Sequence, residues 1–331
     1  MGNFLRSTRR PGAYPLALWG ALCAVLPVVA QGAAWPDKAI TIVVPTPAGG
    51  ANDGMARIIA QGLGARLGVP VLVDDRAGAN GAIASEYVAR AAPDGNTILF
   101  GYIATHGINP ALQKLRYDPV ADFEPIGMVA ASPTVLVVGG TVAAGSAREL
   151  VQLIRARPGT FNYATGGPGT VPSMAGEMFR LSAGLDVVAV PYKGSAPAVV
   201  DTMAGNAQFM FPSLFTAYPH IKGGKLRALG IAGEKRASVL PGVPTLAEQG
   251  IANVEASQWY AMFAPAHTPR AVVERLNREM NAVLNNAEVT QKIQAQGAEV
   301  ETGTPEELKA LVQKEVAHWK AVVTAAHIKA E

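Results

Sequence analysis

The sequence predicts an α/β protein built on mainly parallel sheets flanked by helices. Three observations carry that reading. Short apolar or β-branched runs alternate with helical patterns along nearly the whole chain, the order that parallel βαβ units require. Glycine-rich loops stand between a strand and a helix at residues 46–53 and again at 165–173. Apolar residues make up 49% of the 331 and charged residues 16%, a balance that fills a large core and does not suit a disordered chain.

Taken in order, the strands are expected at 39–44, 69–73, 97–101, 126–130 and 134–138, with helices at 53–67 and 81–91 between them. Ser146 and Glu149 form a capping box that opens a helix ending before Pro158-Gly159. A strand at 161–165 runs into Gly166-Gly167-Pro168-Gly169-Thr170, and a helix follows to about Ser182. Further strands are expected at 186–190, 207–211, 226–231 and 254–263. Helices are expected at 195–204, 214–222 and 244–249, the last with the capping box Thr245 and Glu248. Three helices close the chain, opened by Thr268-Pro269, by Asn286, and by Thr304-Pro305 with Glu307.

Residues 1–34 differ in kind. Arg6, Arg9 and Arg10 precede an apolar run from Leu16 to Ala30, and Ala33-Ala34 follows. A positive region, an apolar region and small residues at the cleavage zone make a secretory signal peptide. The run falls short of the roughly 20 residues that span a bilayer. Cys23, the one cysteine, leaves with the leader, so the exported chain has no disulfide, thiol nucleophile or cysteine metal site. Without the three arginines, the remaining 25 basic residues match the 25 acidic ones. Nothing in that balance points to nucleic acid.

The loop at 46–53, TPAGGAND, invites a phosphate reading that its spacing refuses. It matches neither G-x-G-x-x-G nor a P-loop, holds no lysine and carries Asp53. No G-x-S-x-G elbow occurs, and histidines 106, 220, 267, 318 and 327 lack metal-site spacing. A solute-binding protein without catalysis, cofactor or metal is the expectation. A secreted hydrolase is the remote alternative, and a solute sensor coupled to a membrane signalling partner is the nearer one.

The two glycine loops offer backbone N–H donors and small hydroxyls from Thr46, Thr165, Thr170 and Ser173. That is an uncharged cradle suited to a carboxylate. Gly49 and Gly50 also suit a tight turn with positive φ. Asp53 is either a helix N-cap or a ligand contact favouring amino or hydroxy acids. Tyr192, Lys193 and Ser195, in VPYKGSAP, follow a strand and are placed to line a second lobe, although Lys193 equally suits a surface charge. Trp259 and Tyr260 read as packing residues.

WPDKAITIVVPTPAGGANDGMAR, RAGANGAIASEYVARAAPDGNTILFG, THGINPAL, YDPVADFEPIGMV, VPYKGSAPAVVD and LPGVPTLAEQG, in that order over 35–331, resemble the Bug-type solute receptors of tripartite tricarboxylate transporters. The resemblance implies a two-lobed α/β "Venus flytrap" of the periplasmic-binding-protein type 2 fold. It also implies a periplasmic, monomeric receptor that closes on a small carboxylate and presents it to membrane permease subunits. Lobe one would combine 35–135 with 255–331, and lobe two would be 136–254. By the resemblance, Thr46, Pro47, Ala48, Gly49, Gly50, Asn52 and Asp53 grip the ligand's proximal carboxylate. Thr105 and His106 in the tract 104–109, Gly167, Gly169, Thr170 and Ser173 in the second glycine loop, and Tyr192, Lys193 and Ser195 complete the pocket. Two departures bear on the ligand. Ser173 stands where many relatives carry histidine, and Thr46 replaces an aromatic residue in the opening loop.

Overall fold

Strands alternating with helices along the chain pair into two sheets. A computed structural model describes residues 1–5 and 35–325. The signal-peptide reading rests on residues 6–34, outside the described residues, as does His327. From Trp35 onward the chain forms one compact unit.

The first sheet holds β1 (Ile40–Val44), β2 (Val71–Asp75), β3 (Thr97–Tyr102), β4 (Phe123–Ser132), β10 (Gln258–Pro265) and β11 (Glu299–Val300), in the order β11-β4-β10-β3-β1-β2. The second holds β5 (Thr134–Gly139), β6 (Asn162–Thr165), β7 (Val188–Pro191), β8 (Phe209–Met210) and β9 (Leu226–Ala232), in the order β7-β6-β8-β5-β9. Strand β1 pairs in parallel with β2 and β3, so its ITIVV run is covered on both faces and reads as a continuous apolar stretch. The helices α1 (Ala51–Leu67), α2 (Ala82–Ala89), α3 (Asn109–Leu112), α8 (Arg270–Leu284), α9 (Ala287–Gln294) and α10 (Pro305–Ala325) accompany the first sheet. With the second go α4 (Ala147–Ala156), α5 (Val171–Ala183), α6 (Ser195–Ala204) and α7 (Leu214–Lys222).

The result is an α/β two-lobed fold, and both its sheets are mixed. Parallel pairing holds where strand, loop and helix repeat: β1 with β2 and β3, and β6 with β7 and β8. The strands beside the two crossings run antiparallel: β10 against β3 and β4, and β5 against β8 and β9. These four strands, β4, β5, β9 and β10, carry the chain between the sheets, so they re-enter from the opposite end. Only Pro133 separates β4 from β5. Proline has no N–H to extend a ladder, which ends one sheet and frees the chain to enter the next. The switch is braced: the Leu214 N–H donates to the Pro133 carbonyl at 2.8 Å, and the Phe215 N–H donates to Ser132 Oγ at 3.1 Å.

The capping box at Ser146 forms in part, the glutamate reaching the amide one residue before the cap. The Glu149 N–H donates to Ser146 Oγ at 3.2 Å, and Glu149 Oε2 accepts from the Gly145 N–H at 2.7 Å. The Thr245–Glu248 box also forms, but only a three-residue 3₁₀ turn (Ala247–Gln249) follows where a helix over 244–249 is expected. Gly250 ends it at φ 81°. Strand β2 begins two residues later than expected, and β10 begins at Gln258 instead of 254. Strand β11 escapes a sequence reading because two residues carry no periodicity; β4 supplies its partner.

Candidate functional site

The loops at the carboxyl ends of β1, β2 and β3 meet those of β6, β7 and β8 across a seam between the lobes. Three glycines mark the contact. A Cβ on Gly194 would lie 3.1 Å from Pro47 Cγ, one on Gly169 would lie 2.9 Å from Leu112 Cδ1, and one on Gly54 would lie 3.2 Å from the Phe215 ring. Each pair joins one lobe to the other, so the lobes touch. The expected convergence takes a specific form: the loop 46–53 meets the segment 192–195, whereas Gly169 faces Asn80 and Leu112.

In the loop after β1, Gly49 has φ 83°, a conformation that L side chains rarely adopt. Its N–H donates to Asp53 Oδ2 at 2.8 Å. Asp53 Oδ1 lies 2.5 Å from Arg57 Nε, and the same guanidinium reaches Asp75 Oδ2 at 3.1 Å. Asp53 is 6% exposed. It is not the N-cap: Gly50 holds that position without a side-chain bond, and Asp53 stands third in the helix. Burial, followed by the neighbouring Asp53, raises the Asp75 carboxyl above its ordinary range against the pull of Arg57. Thr46 Oγ1 and Asn52 Nδ2 are enclosed without a hydrogen-bond partner, an arrangement that costs free energy unless something fills it. Ala48 and Gly49 are exposed, and Pro47 and Gly50 half-buried.

The second glycine loop uses its hydroxyls on itself. The Gly167 N–H donates to Thr165 Oγ1 at 3.2 Å, and Thr170 Oγ1 donates to the Gly167 carbonyl at 2.7 Å. Gly167 and Gly169 have φ 109° and 70°. Ser173 is half-buried in the first turn of α5, and Ser195 opens α6 beside Gly166, whose Cβ would lie 3.2 Å from Ser195 Oγ. Tyr192 is half-buried, its hydroxyl pushed up by burial and by Asp201. Lys193 is exposed.

Thr105 and His106 are placed otherwise than expected. Both are fully buried against the first sheet, packed among its aromatic side chains. Thr105 Oγ1 accepts from the Tyr102 N–H at 3.2 Å and donates to the Tyr102 carbonyl at 2.9 Å. His106 Nδ1 lies 2.9 Å from Thr105 Oγ1, whose own proton goes to the Tyr102 carbonyl, and so carries the ring proton. Its ring stacks on Phe263 at 3.9 Å, with Phe123 edge-on at 4.9 Å, and Nε2 has no partner. Burial lowers the imidazole to about 3. The folded value lies below the unfolded one, so the neutral ring's contribution is complete above pH 6.5 and is lost as pH falls toward 3. Across that window, wild type should lose stability faster than His106→Phe, by about 1 kcal/mol per pH unit. Parallel urea titrations of the two proteins would show no difference in slope if the ring were already charged in the fold.

Sequence reasoning missed the turn at 78–81. Gly78, Ala79, Asn80 and Gly81 all have positive φ. Asn80 Nδ2 donates to Asn109 Oδ1 at 2.8 Å, Asn109 Nδ2 returns a bond to the Asn80 carbonyl at 2.9 Å, and the Tyr102 hydroxyl donates to Asn80 Oδ1 at 3.1 Å. The available signal was the Asn between glycines in GANG, since asparagine tolerates the left-handed region. The start of α7 was also missed as a cleft element. With Gly49, Gly50 and Gly54 opposite Val199, Phe215 and His220, it encloses a groove of ≈ 290 Å³ between the lobes. A cavity of ≈ 380 Å³ beside Leu226 and Val243 lies on the second sheet's outer edge, away from these loops. Among the described residues no group of three His, Cys, Asp or Glu could hold a metal, and no helix is long and apolar enough to cross a membrane.

Residues 55–328 match the family described as "Tripartite tricarboxylate transporter family receptor". The chain belongs to this family. Protein BugT of Bordetella pertussis is 35% identical to the receptor over 313 residues, 93% of this chain and 96% of that protein. Among solved structures, R. palustris Rpa4515 with adipate superposes with a TM-score of 0.86 at 33% identity, covering 89% of the receptor and 99% of that chain. MatC (Rpa3494) from Rhodopseudomonas palustris with bound malate gives 0.83 at 32%, covering 87% and 99%.

Proposed function

We propose that this receptor captures a small organic carboxylate between its lobes, in the periplasm, and delivers it to the permease of a tripartite transporter. One observation carries the reading. At the amino end of α1, beside the seam where the lobes touch, Thr46 Oγ1 and Asn52 Nδ2 are enclosed and unpartnered. A carboxylate seated there would take hydrogen bonds from such groups and from the first-turn amides that helix geometry leaves free. Adipate and malate in the two related structures support the ligand class.

In this reading lobe one combines 35–135 with 255–331 and lobe two is 136–254, a division that strand membership follows except at Thr134-Val135, which begin β5 of the second sheet. The two crossings, at Pro133 and between β9 and β10, act as the hinge. The receptor works as a monomer and its leader directs export. Thr46, Asn52, Pro47 and the Gly194–Ser195 turn hold the ligand, and Gly169 on Asn80 closes over it.

A thermal-shift series with adipate, malate, citrate, aspartate and benzoate tests the proposal. A true ligand at 100 times its dissociation constant should add about 2.7 kcal/mol of stability. Silence across all five, on protein refolded free of co-purified solute, would remove the carboxylate assignment.

A further inference from the structure

Asp53 is the one charged side chain at the opening loop, and its surroundings leave it little to offer a solute. It is 6% exposed; one oxygen accepts from the Gly49 N–H, and the other is ion-paired with Arg57 but accepts no hydrogen bond. Arg57 in turn holds Asp75 at the end of β2, in register with Val44, the last residue of β1. The chain of contacts therefore runs from the loop through the first turns of α1 to the neighbouring strand. Gly49 needs such a tether. Its φ is 83° and there is nothing within 4 Å of where a Cβ would stand, so packing does not hold the loop there. An exposed left-handed residue without packing drifts unless a hydrogen bond restrains it. The bond that does so comes from a carboxylate at the third helical position reaching back to the amide before the cap, where the helix dipole also favours negative charge.

We infer that Asp53 is a positioning residue of the cleft: it fixes the loop 46–50 in its receiving shape by holding the Gly49 N–H, and it touches no ligand atom. Its charge is answered internally by Arg57, so it neither repels a dicarboxylate nor selects an amino or hydroxy group. Discrimination among acids falls to other residues. This role rests on the carboxylate-binding reading above.

Two readouts separate the role from that reading. The first needs no ligand: amide hydrogen exchange over residues 46–53 in the free receptor. Asp53→Ala should accelerate exchange there about tenfold, the loss of one charge-assisted hydrogen bond, while exchange in the helices of the second lobe stays unchanged. Asp53→Asn keeps an acceptor and should restore part of the protection. Arg57→Gln, at a largely exposed side chain, should give an intermediate acceleration and guards against misfolding of the alanine variant. The second readout is calorimetric affinity for adipate, malate and aspartate. Whichever of these the wild type binds should weaken by one common factor in Asp53→Ala. Unchanged exchange over 46–53 would overturn the inference, and so would a loss confined to malate and aspartate. If the wild type binds none of the three, the ligand reading fails, while the exchange data still decide the role of Asp53.

Discussion

Gly169→Val is expected to weaken ligand affinity about 30-fold, the effect of an overpacking cost near 2 kcal/mol on the closed form. Gly169 meets the other lobe directly: a single Cβ there would stand 2.9 Å from Leu112 Cδ1 and 3.2 Å from Asn80 Nδ2. Leu112 can swing aside for one methyl group. Asn80 cannot, because its amide is tied to Asn109 and to the Tyr102 hydroxyl and its backbone is already left-handed. Two further methyl groups therefore wedge the lobes apart. The substitution also strains φ 70° in open and closed forms alike, by about 1–2 kcal/mol. Gly184→Val is the control, since Gly184 has φ 60° and open space around it at the end of α5. It should lower stability by the same amount and leave affinity unchanged. Equal affinities for both variants, measured by titration calorimetry, would mean that the Gly169 contact plays no part in closure.

Phe263→Ala should cost about 4 kcal/mol of stability, as expected for emptying an aromatic position in a packed core. Phe263 is 1% exposed on β10, between β3 and β4, with the His106 ring stacked on one face and Phe123 edge-on. Gly101 makes the fit close from the β3 side, since a Cβ there would come within 2.6 Å of the Phe263 ring. Gly101 and Phe123 are held in the β-ladders of β3 and β4 and cannot readily collapse into the space, which places the cost near the upper part of the usual range. The melting temperature should fall by roughly 6 °C, while protein still folded binds its solute as before. A drop of only one or two degrees would show that His106 and Phe123 repack. Lost affinity at full folding would move this aromatic cluster into the cleft.

The same cluster shows where a sequence reading stops. THGINPAL lies after a strand, and a polar pair after a strand is a reasonable candidate for a pocket in an α/β protein. Residues 104–108 instead turn back beneath the sheet, and Thr105 closes on the Tyr102 backbone. The direction of that turn depends on Tyr117, Phe123 and Phe263 packed behind it, the last brought in from β10. The N-cap alternative for Asp53 failed because the helix starts earlier, with Gly50 at the cap. The sequence offers Asp53, Arg57 and Asp75 but not their convergence, which requires α1 to lie beside β2.

Local chemistry alone determined much of this receptor. The β-branched run of β1, the left-handed glycines of both loops, the capping boxes at Ser146 and Thr245, and the cap at Asn286 follow from residues within a few positions of one another. Alternation of such units gave the α/β class, and the series of motifs gave the family. Tertiary structure alone decided that both sheets are mixed, that His106 is core, that Asn80 faces Gly169, and that Asp53 is turned inward. The first three depend on contacts between residues far apart in the chain; Asp53 itself is held by Gly49 and Arg57, each four residues away, and only Asp75, which shares Arg57, comes from a separate element. Such contacts form only when packing brings separate elements together, and no periodicity or spacing in the sequence records which elements those will be.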